Sequence, residues 1–530
     1  MTPGFEPGPQ GASEPPLWDL RSIYPSFDDP SCTGDKERLR RGAREFLDLL
    51  SKPLPPDRAE ALPVLRALLD AYKETGDIAE NLRAYAEAVY TADTGDTRAL
   101  HEINELETLV LPFNRALVLF RKRLAEREDL VLSLLEEGEP LAGDEFFLRD
   151  AIQRARYQMD EDLEDLANDL CRSGADAWSR LHDAISSSLS VLWDKESGET
   201  KTVSALRDMA FHPERGVREK AYHAELEAWA SMETPLAASL NGIKGWALAL
   251  DSRRLWPSPL EKSLFQSRIT GATFNALLSA MESSLPLFRR YLKSKAKLLG
   301  LDSLAFFDLF APLSLDSAGD SGAKEGPAPG IKRWTWEESG EFIERCFDSF
   351  DTGMGTFARH AFAFSWIDAR RRKGKVGGAY CTDFPLAGES RILCNFEGSF
   401  DSVTTTAHEL GHAWHHELIK DLPRTQNQYP MTLAETASIF AETVVFEAAL
   451  RDAGDAERIR LIEGSLKDSC QVICDILSRF YFEKEVFARR DRGEIGPAEL
   501  CAIMTGAQKA SYGDGLDEKF LHPYMWAVKS

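Results

Sequence analysis

The sequence predicts a mainly helical protein with a small β-sheet beside the one helix that carries chemistry. Three observations support this. Long stretches rich in Ala, Leu, Glu and Arg place apolar residues three and four apart, the period of an amphipathic helix. Two regions only break that rhythm with turn-forming residues. The 530 residues are 43% hydrophobic and include 11 Trp and 29 Phe, a content that requires a packed core.

In chain order, residues 1–17 are dominated by Pro and Gly and read as a flexible arm. They have no basic segment followed by an apolar one, so they do not read as a secretion signal. Helical patterns follow at 36–50, 58–92, 96–127 and 144–190, an N-terminal helical lobe placed at 18–200. The second domain, 201–530, has helical patterns at 203–252, 271–299, 335–361, 430–452 and 455–490. Residues 313–332, rich in Gly, Ser and Pro, read as an exposed loop between helices. In 375–400, turn signals surround short β-forming runs, so Ala379–Asp383 and Arg391–Phe396 are expected to pair as an antiparallel hairpin.

Charge and cysteine content remove several function classes. Lys+Arg 63 against Asp+Glu 86 gives −23, the wrong sign for gripping nucleic acid or an anionic membrane surface. No apolar run is long enough to span a bilayer. The 8 Cys are scattered without a C-x-x-C pair; Cys470 and Cys474 share a helix face, and reduced thiols in a cytoplasmic protein are expected. Phosphate-binding and dinucleotide fingerprints are absent from the sequence, as is a G-x-S-x-G elbow.

The informative helix is expected from about Ser402 to Lys420. Val403, Ala407, Leu410, Trp414 and Leu418 form its apolar stripe. His408 and His412, four apart, stack on one face and can hold one metal ion. Glu409 completes H-E-x-x-H, in which the carboxylate takes a proton from an activated water. His408, His412, His415 and His416 account for four of the 10 His, a clustering that fits a site better than a bland surface. A catalytic zinc needs a third protein ligand. His415 is two turns from His408, and the sequence lacks the Gly and final His of H-E-x-x-H-x-x-G-x-x-H, having His415 and Leu418 there. The ligand must come from another element. Glu435 opens the next helical pattern, 27 residues after His408. It also fits a capping box with Thr432. Glu442 shares the face of Glu435, where it either orients a ligand histidine or is a solvated charge.

These residues carry a resemblance. The run TTTAHELGHAWHH followed by LAETASIFAE is similar to the oligoendopeptidase F and thimet oligopeptidase group of zinc metallopeptidases. The segments RGVREKAYHAELEAW, LNGIKGWALAL, FFDLFAPL, GGAYCTDFP and YGDGLDEKFLHPYMWAVKS point to the oligoendopeptidase F branch. The resemblance implies a mainly α fold of two helical lobes enclosing a deep channel, with one zinc ion at its floor and short peptides as substrates. It implies His408, His412 and Glu435 as zinc ligands, Glu409 as general base, and His415 beside the site without a ligand role. It also implies that the strand near Arg391–Phe396 pairs with the substrate backbone.

Relatives of this group continue past the position of Lys529-Ser530 with a His- and Tyr-rich segment that stabilises the oxyanion. For a chain ending at Ser530, His522 and Tyr524 are the nearest candidate donors, against the reading of a structural His-Pro-Tyr turn. Two alternatives follow. One is a zinc- and peptide-binding protein with impaired turnover. The other is a dipeptidyl carboxypeptidase-type exopeptidase, for which the cationic run Arg370–Lys375 is the candidate carboxylate grip, or else a solvated loop.

Overall fold

Packing groups the chain into two units that alternate along the sequence: Met1–Glu161 with Gly330–Asp452, and Asp162–Pro329 with Ala453–Ser530. The sequence reading instead divides the chain once, at residue 200. The computed structural model describes residues 14–136, 141–313 and 333–528. All but Leu313 of the loop expected at 313–332, and most of the 1–17 arm, therefore lie outside the described residues. The described part of that arm is pinned, since Pro16 O accepts the Ala369 N–H at 2.9 Å and Pro15 O accepts Arg370 Nε at 2.9 Å. The described residues are mostly helical, as the periodicity predicts, and hold two small sheets, of which the two-stranded one, Ser190–Leu192 with Thr200–Thr202, was not expected.

The first unit opens with three long helices, α1 (Pro30–Leu50), α2 (Arg58–Ala92) and α3 (Thr97–Ala125). Each starts at an aspartate, Asp29, Asp57 or Asp96, whose carboxylate accepts backbone N–H groups of the first turn. Such a cap stabilises a helix by about 1 kcal/mol. Phe46, Leu50, Leu65, Leu68, Phe113 and Phe120 fill the seam between these helices.

The single helix expected over 335–361 is two, α4 (Trp336–Phe350) and α5 (Thr352–Ala363). Asp351 between them is extended, and its Oδ1 caps the Met354 N–H at 3.0 Å. Next come β1 (Ile367–Asp368), β2 (Tyr380–Phe384) and β3 (Glu389–Leu393), then α6 (Phe400–Ile419) and α7 (Met431–Asp452).

The expected hairpin exists, with β2 antiparallel to β3 and Cys381 opposite Ile392. Sequence reading missed β1, too short to show a pattern, which pairs parallel to β3 and gives the order β1-β3-β2. That corrects one expectation: β3 is the central strand, so the exposed edge belongs to β2. Ile392 and Cys394 donate their N–H groups to Trp366 O and Asp368 O, on the β1 side. By antiparallel alternation, Cys381 and Asp383 therefore turn their N–H and C=O groups outward from the sheet. None of these four groups has a hydrogen-bond partner among the described residues.

Both faces of the sheet are covered. On one, Tyr380 hydrogen-bonds Thr91 of α2, and Phe384 is fully buried among α2 residues. On the other, Ser390 Oγ lies 3.0 Å from Nδ1 of His416 on α6.

In the second unit the expected helix over 455–490 is interrupted. Asp455–Cys470 and Ile476–Arg490 are joined by a π-helical turn, Gln471–Asp475. The 144–190 pattern is likewise three helices, Glu145–Ala155, Glu161–Cys171 and Ala175–Ser188. All eight cysteines are free. Among the described residues no helix is long and apolar enough to cross a membrane.

Candidate metal centre

Helix α6 starts where Ser399 Oγ accepts the Ser402 N–H at 3.1 Å. Val403, Ala407 and Leu410 are fully buried, as expected of its apolar stripe. Leu418 departs from that expectation: it is 62% exposed, whereas Gly411 and Ala413, outside the expected stripe, are buried. At Gly411, α6 and α7 pack too closely for a side chain. A Cβ there would stand 2.7 Å from Ala437 O, 2.7 Å from Ser438 Cα and 2.9 Å from Ala441 Cβ.

That close approach brings three side chains together. Glu435 Oε2 lies 3.1 Å from His408 Nε2 and 3.3 Å from His412 Nε2, and the two imidazole centroids are 4.9 Å apart. Ligand-capable atoms of His408, His412 and Glu435 all lie within 4.8 Å of one another. Ser438 Oγ, fully buried, donates to Glu435 Oε2 at 2.7 Å and fixes that carboxylate. The capping-box reading of Glu435 does not hold, because α7 begins at Met431 and puts Thr432 inside its first turn. Two imidazoles and one carboxylate converging on a point fit zinc by donor type and number.

Surrounding groups set the state of these donors. Glu442 Oε1 hydrogen-bonds His408 Nδ1, which leaves Nε2 for the shared point. Burial lowers His408's tendency to protonate, yet the Glu442 bond and the nearby Glu409 and Glu435 outweigh it and raise the pKa. Burial holds His412 below the ordinary histidine range, favouring the neutral ring that binds metals. Glu409 is 5% exposed, and burial pushes its carboxyl up to about 7.

Residues 330–525 match the profile of peptidase family M3, and residues 124–190 match that of oligopeptidase F. By that match, residues 330–525 belong to peptidase family M3. As an M3 peptidase of the oligopeptidase F branch the chain is a metalloendopeptidase by family. It is 22% identical over 509 residues to an oligoendopeptidase F homolog of Lactococcus lactis subsp. lactis (strain IL1403), covering 93% of this chain and 80% of that one. It is 23% identical over 401 residues to the oligopeptidase PepF of Bacillus subtilis (strain 168), covering 74% and 58%. In fold, this M3 peptidase is similar to a peptidase of Chlamydophila abortus, with TM-score 0.71, 20% identity and coverage of 97% and 84%. It is also similar to oligoendopeptidase-F of Enterococcus faecium, with TM-score 0.66, 16% identity and coverage of 94% and 82%.

The remaining residues singled out in the sequence fall in different places. His415 is outside the three-residue cluster; its ring packs against Tyr429 at 4.6 Å between centroids. His522 is 1% exposed in the second unit, where Tyr222 and Phe306 flank its ring. Its Nε2 lies 3.2 Å from Glu225 Oε1, close enough for an ion pair though not aligned for a hydrogen bond. Tyr524 donates its hydroxyl to Glu233 at 2.7 Å. Buried or engaged in this way, the two fit the structural turn and not a pair of free donors.

The cationic run is also occupied. Arg372 grips the Asp368 carboxylate at 2.7 and 2.9 Å, while Lys375 is buried against the same aspartate. Neither the solvated-loop reading nor a free carboxylate grip suits those two residues. Sequence reading did not single out Asp383, whose charge acts on His412, Tyr429, on which the charge of Glu435 acts, or Ser390, which bonds Asp383 and His416. Their only local signal was a strand and a short aromatic connection flanking the H-E-x-x-H helix. A cavity of about 630 Å³ lined by Phe357, His360, Trp366 and Trp414 opens elsewhere on α6. Trp414 lies two residues past His412 and so points away from the histidine face.

Proposed function

We infer that this M3 peptidase is a zinc-dependent oligoendopeptidase that cuts internal bonds of short peptides. The convergence of His408 Nε2, His412 Nε2 and Glu435 Oε2 beside the buried Glu409 carries this reading. His408, His412 and Glu435 would hold one zinc ion, with Glu442 setting the His408 ring. Zinc held there supplies Lewis-acid polarisation of the scissile carbonyl and lowers the pKa of a water.

The chain's own groups do the rest. Glu409 takes the proton from the attacking water and returns it to the leaving amine; a carboxyl raised toward neutrality suits both transfers. The outward N–H and C=O groups of Cys381 and Asp383 offer a peptide an antiparallel strand partner. Recognition through the main chain requires an extended substrate and makes few demands on its side chains. That supports short, unstructured peptides over folded proteins.

Glu409→Gln tests the reading: it should retain one zinc per chain and lose hydrolysis of a quenched peptide. Full residual activity in that variant would overturn the assigned base. A quenched peptide blocked at both ends should be cleaved by the unaltered protein. Cleavage confined to free-ended peptides would point to the exopeptidase instead.

A further inference from the structure

The connection between α6 and α7 is short, carries no catalytic motif, and is held with unusual care. Arg424 donates to Asp77 at 3.2 Å and to Glu80 at 2.5 Å, both on α2. Its guanidinium also lies over the Tyr72 ring, 5.8 Å from the centroid. Thr425 donates to Asp144, which Lys73 neutralises at 2.8 Å. So firm an anchorage fixes the residues that follow, and among them is Tyr429.

The Tyr429 ring is seated on His415, with centroids 4.6 Å apart and planes 31° apart. His415 belongs to the rigid α6, three residues past His412, so the tyrosine inherits a defined place beside the metal cluster. Its far end is different. Tyr429 is 37% exposed, and its hydroxyl makes no hydrogen bond among the described residues. Cys381 and Asp383 of the β2 edge and Glu435 of the metal cluster are the groups whose charge it feels, together with Glu80. Burial pushes the phenol up to about 12, so it keeps its proton and acts as a donor.

A peptide lying along β2 brings carbonyl oxygens into a region whose side chains are mostly carboxylates, which accept and cannot donate. The fixed ring and unused hydroxyl of Tyr429 supply what is missing. On the peptidase reading above, we propose that Tyr429 is a substrate-binding residue whose hydroxyl donates a hydrogen bond to a carbonyl of the peptide bound along β2 at the metal cluster.

The test uses the full, zinc-loaded chain carrying Glu409→Gln, so that binding is read without turnover. Fluorescence anisotropy of a labelled short peptide compares it with the same protein carrying also Tyr429→Phe. The Phe variant keeps the ring on His415. It should bind the peptide about 3- to 10-fold more weakly, the effect of one lost hydrogen bond, with zinc content and melting temperature unchanged. Tyr429→Ala should weaken binding further. Equal affinity of the Phe variant would overturn the proposal and leave the peptidase reading intact. So would weaker binding accompanied by loss of zinc or of melting temperature, which marks a structural role. A zinc-loaded parent that binds no peptide would overturn both.

Discussion

Glu442 of α7 hydrogen-bonds Nδ1 of His408 on α6, so the charge that orients the first histidine comes from the helix that also brings Glu435. One helix thus contributes both a candidate ligand and the group that aims another. Replacing Glu442 with Gln should keep the fold and weaken zinc binding by about 10- to 100-fold. Competition against a calibrated chelator measures this directly; an unchanged zinc affinity would show that Glu442 does not govern the His408 ring.

Gly411 sits at a close approach of α6 and α7. Gly411→Ala would force a methyl group into backbone atoms of Ala437 and Ser438 that lie only 2.7 Å from its Cβ. We expect a loss of roughly 1–3 kcal/mol, the usual cost of overpacking, despite the better helix propensity of alanine. Because α7 must shift, zinc affinity should fall with it. Urea unfolding and zinc titration of the one variant check both parts, and a stabilised protein with normal zinc affinity would contradict the packing argument.

Glu225 gives the second unit an acid sensitivity of predictable sign. Burial alone would raise its carboxyl, but His522, Arg207 and Trp229 outweigh burial and bring it down to about 2. A depressed folded pKa adds stability that is complete above the unfolded value of about 4.3 and fades as pH falls toward 2. The full contribution is roughly 3 kcal/mol. Melting temperature should therefore drop between about pH 5 and pH 2. Glu225→Gln should start less stable at neutral pH and show a shallower acid decline. A parallel decline in the two proteins would refute the assignment.

Arg424→Met tests the anchorage of the α6–α7 connection. It leaves Asp77 and Glu80 half-buried without their cation, at a cost of about 2 kcal/mol. Limited proteolysis should then cut within 420–430 sooner than in the unaltered protein, and KM for short peptides should rise more than kcat falls. Identical cleavage kinetics would show that Thr425 and its neighbours hold the loop without Arg424.

The parts of this molecule legible from sequence were those governed by a local rule. Helix α2 was read at its observed limits because one apolar stripe runs its whole length. His408, Glu409 and His412 were legible because the α-helix converts a four-residue spacing into a shared face. Glu435 was reached by asking what chemistry was still missing. What failed depended on distant partners. Leu418 fits the helical stripe as well as Leu410 does, yet nothing packs over it, so it is exposed. The sheet edge was assigned to the wrong strand because the two-residue β1 has no pattern to read. Asp351 broke a continuous helical pattern through a cap whose strength no periodicity reveals. Tyr429 carried no motif, since its place depends on contacts with α2, far away in the chain.

Those contacts also have a consequence in time. Arg424 and Asp77 are 347 residues apart in sequence, and Thr425 and Asp144 are 281 apart. Closures of that span form late, after local helices and their near neighbours. A chain leaving the ribosome presents α2 first and its histidines only much later. The metal cluster is then finished by docking the connection onto a seat that was made hundreds of residues earlier. Until Glu442 has emerged and that docking is done, the growing polypeptide carries the pieces of a peptidase centre without the centre itself.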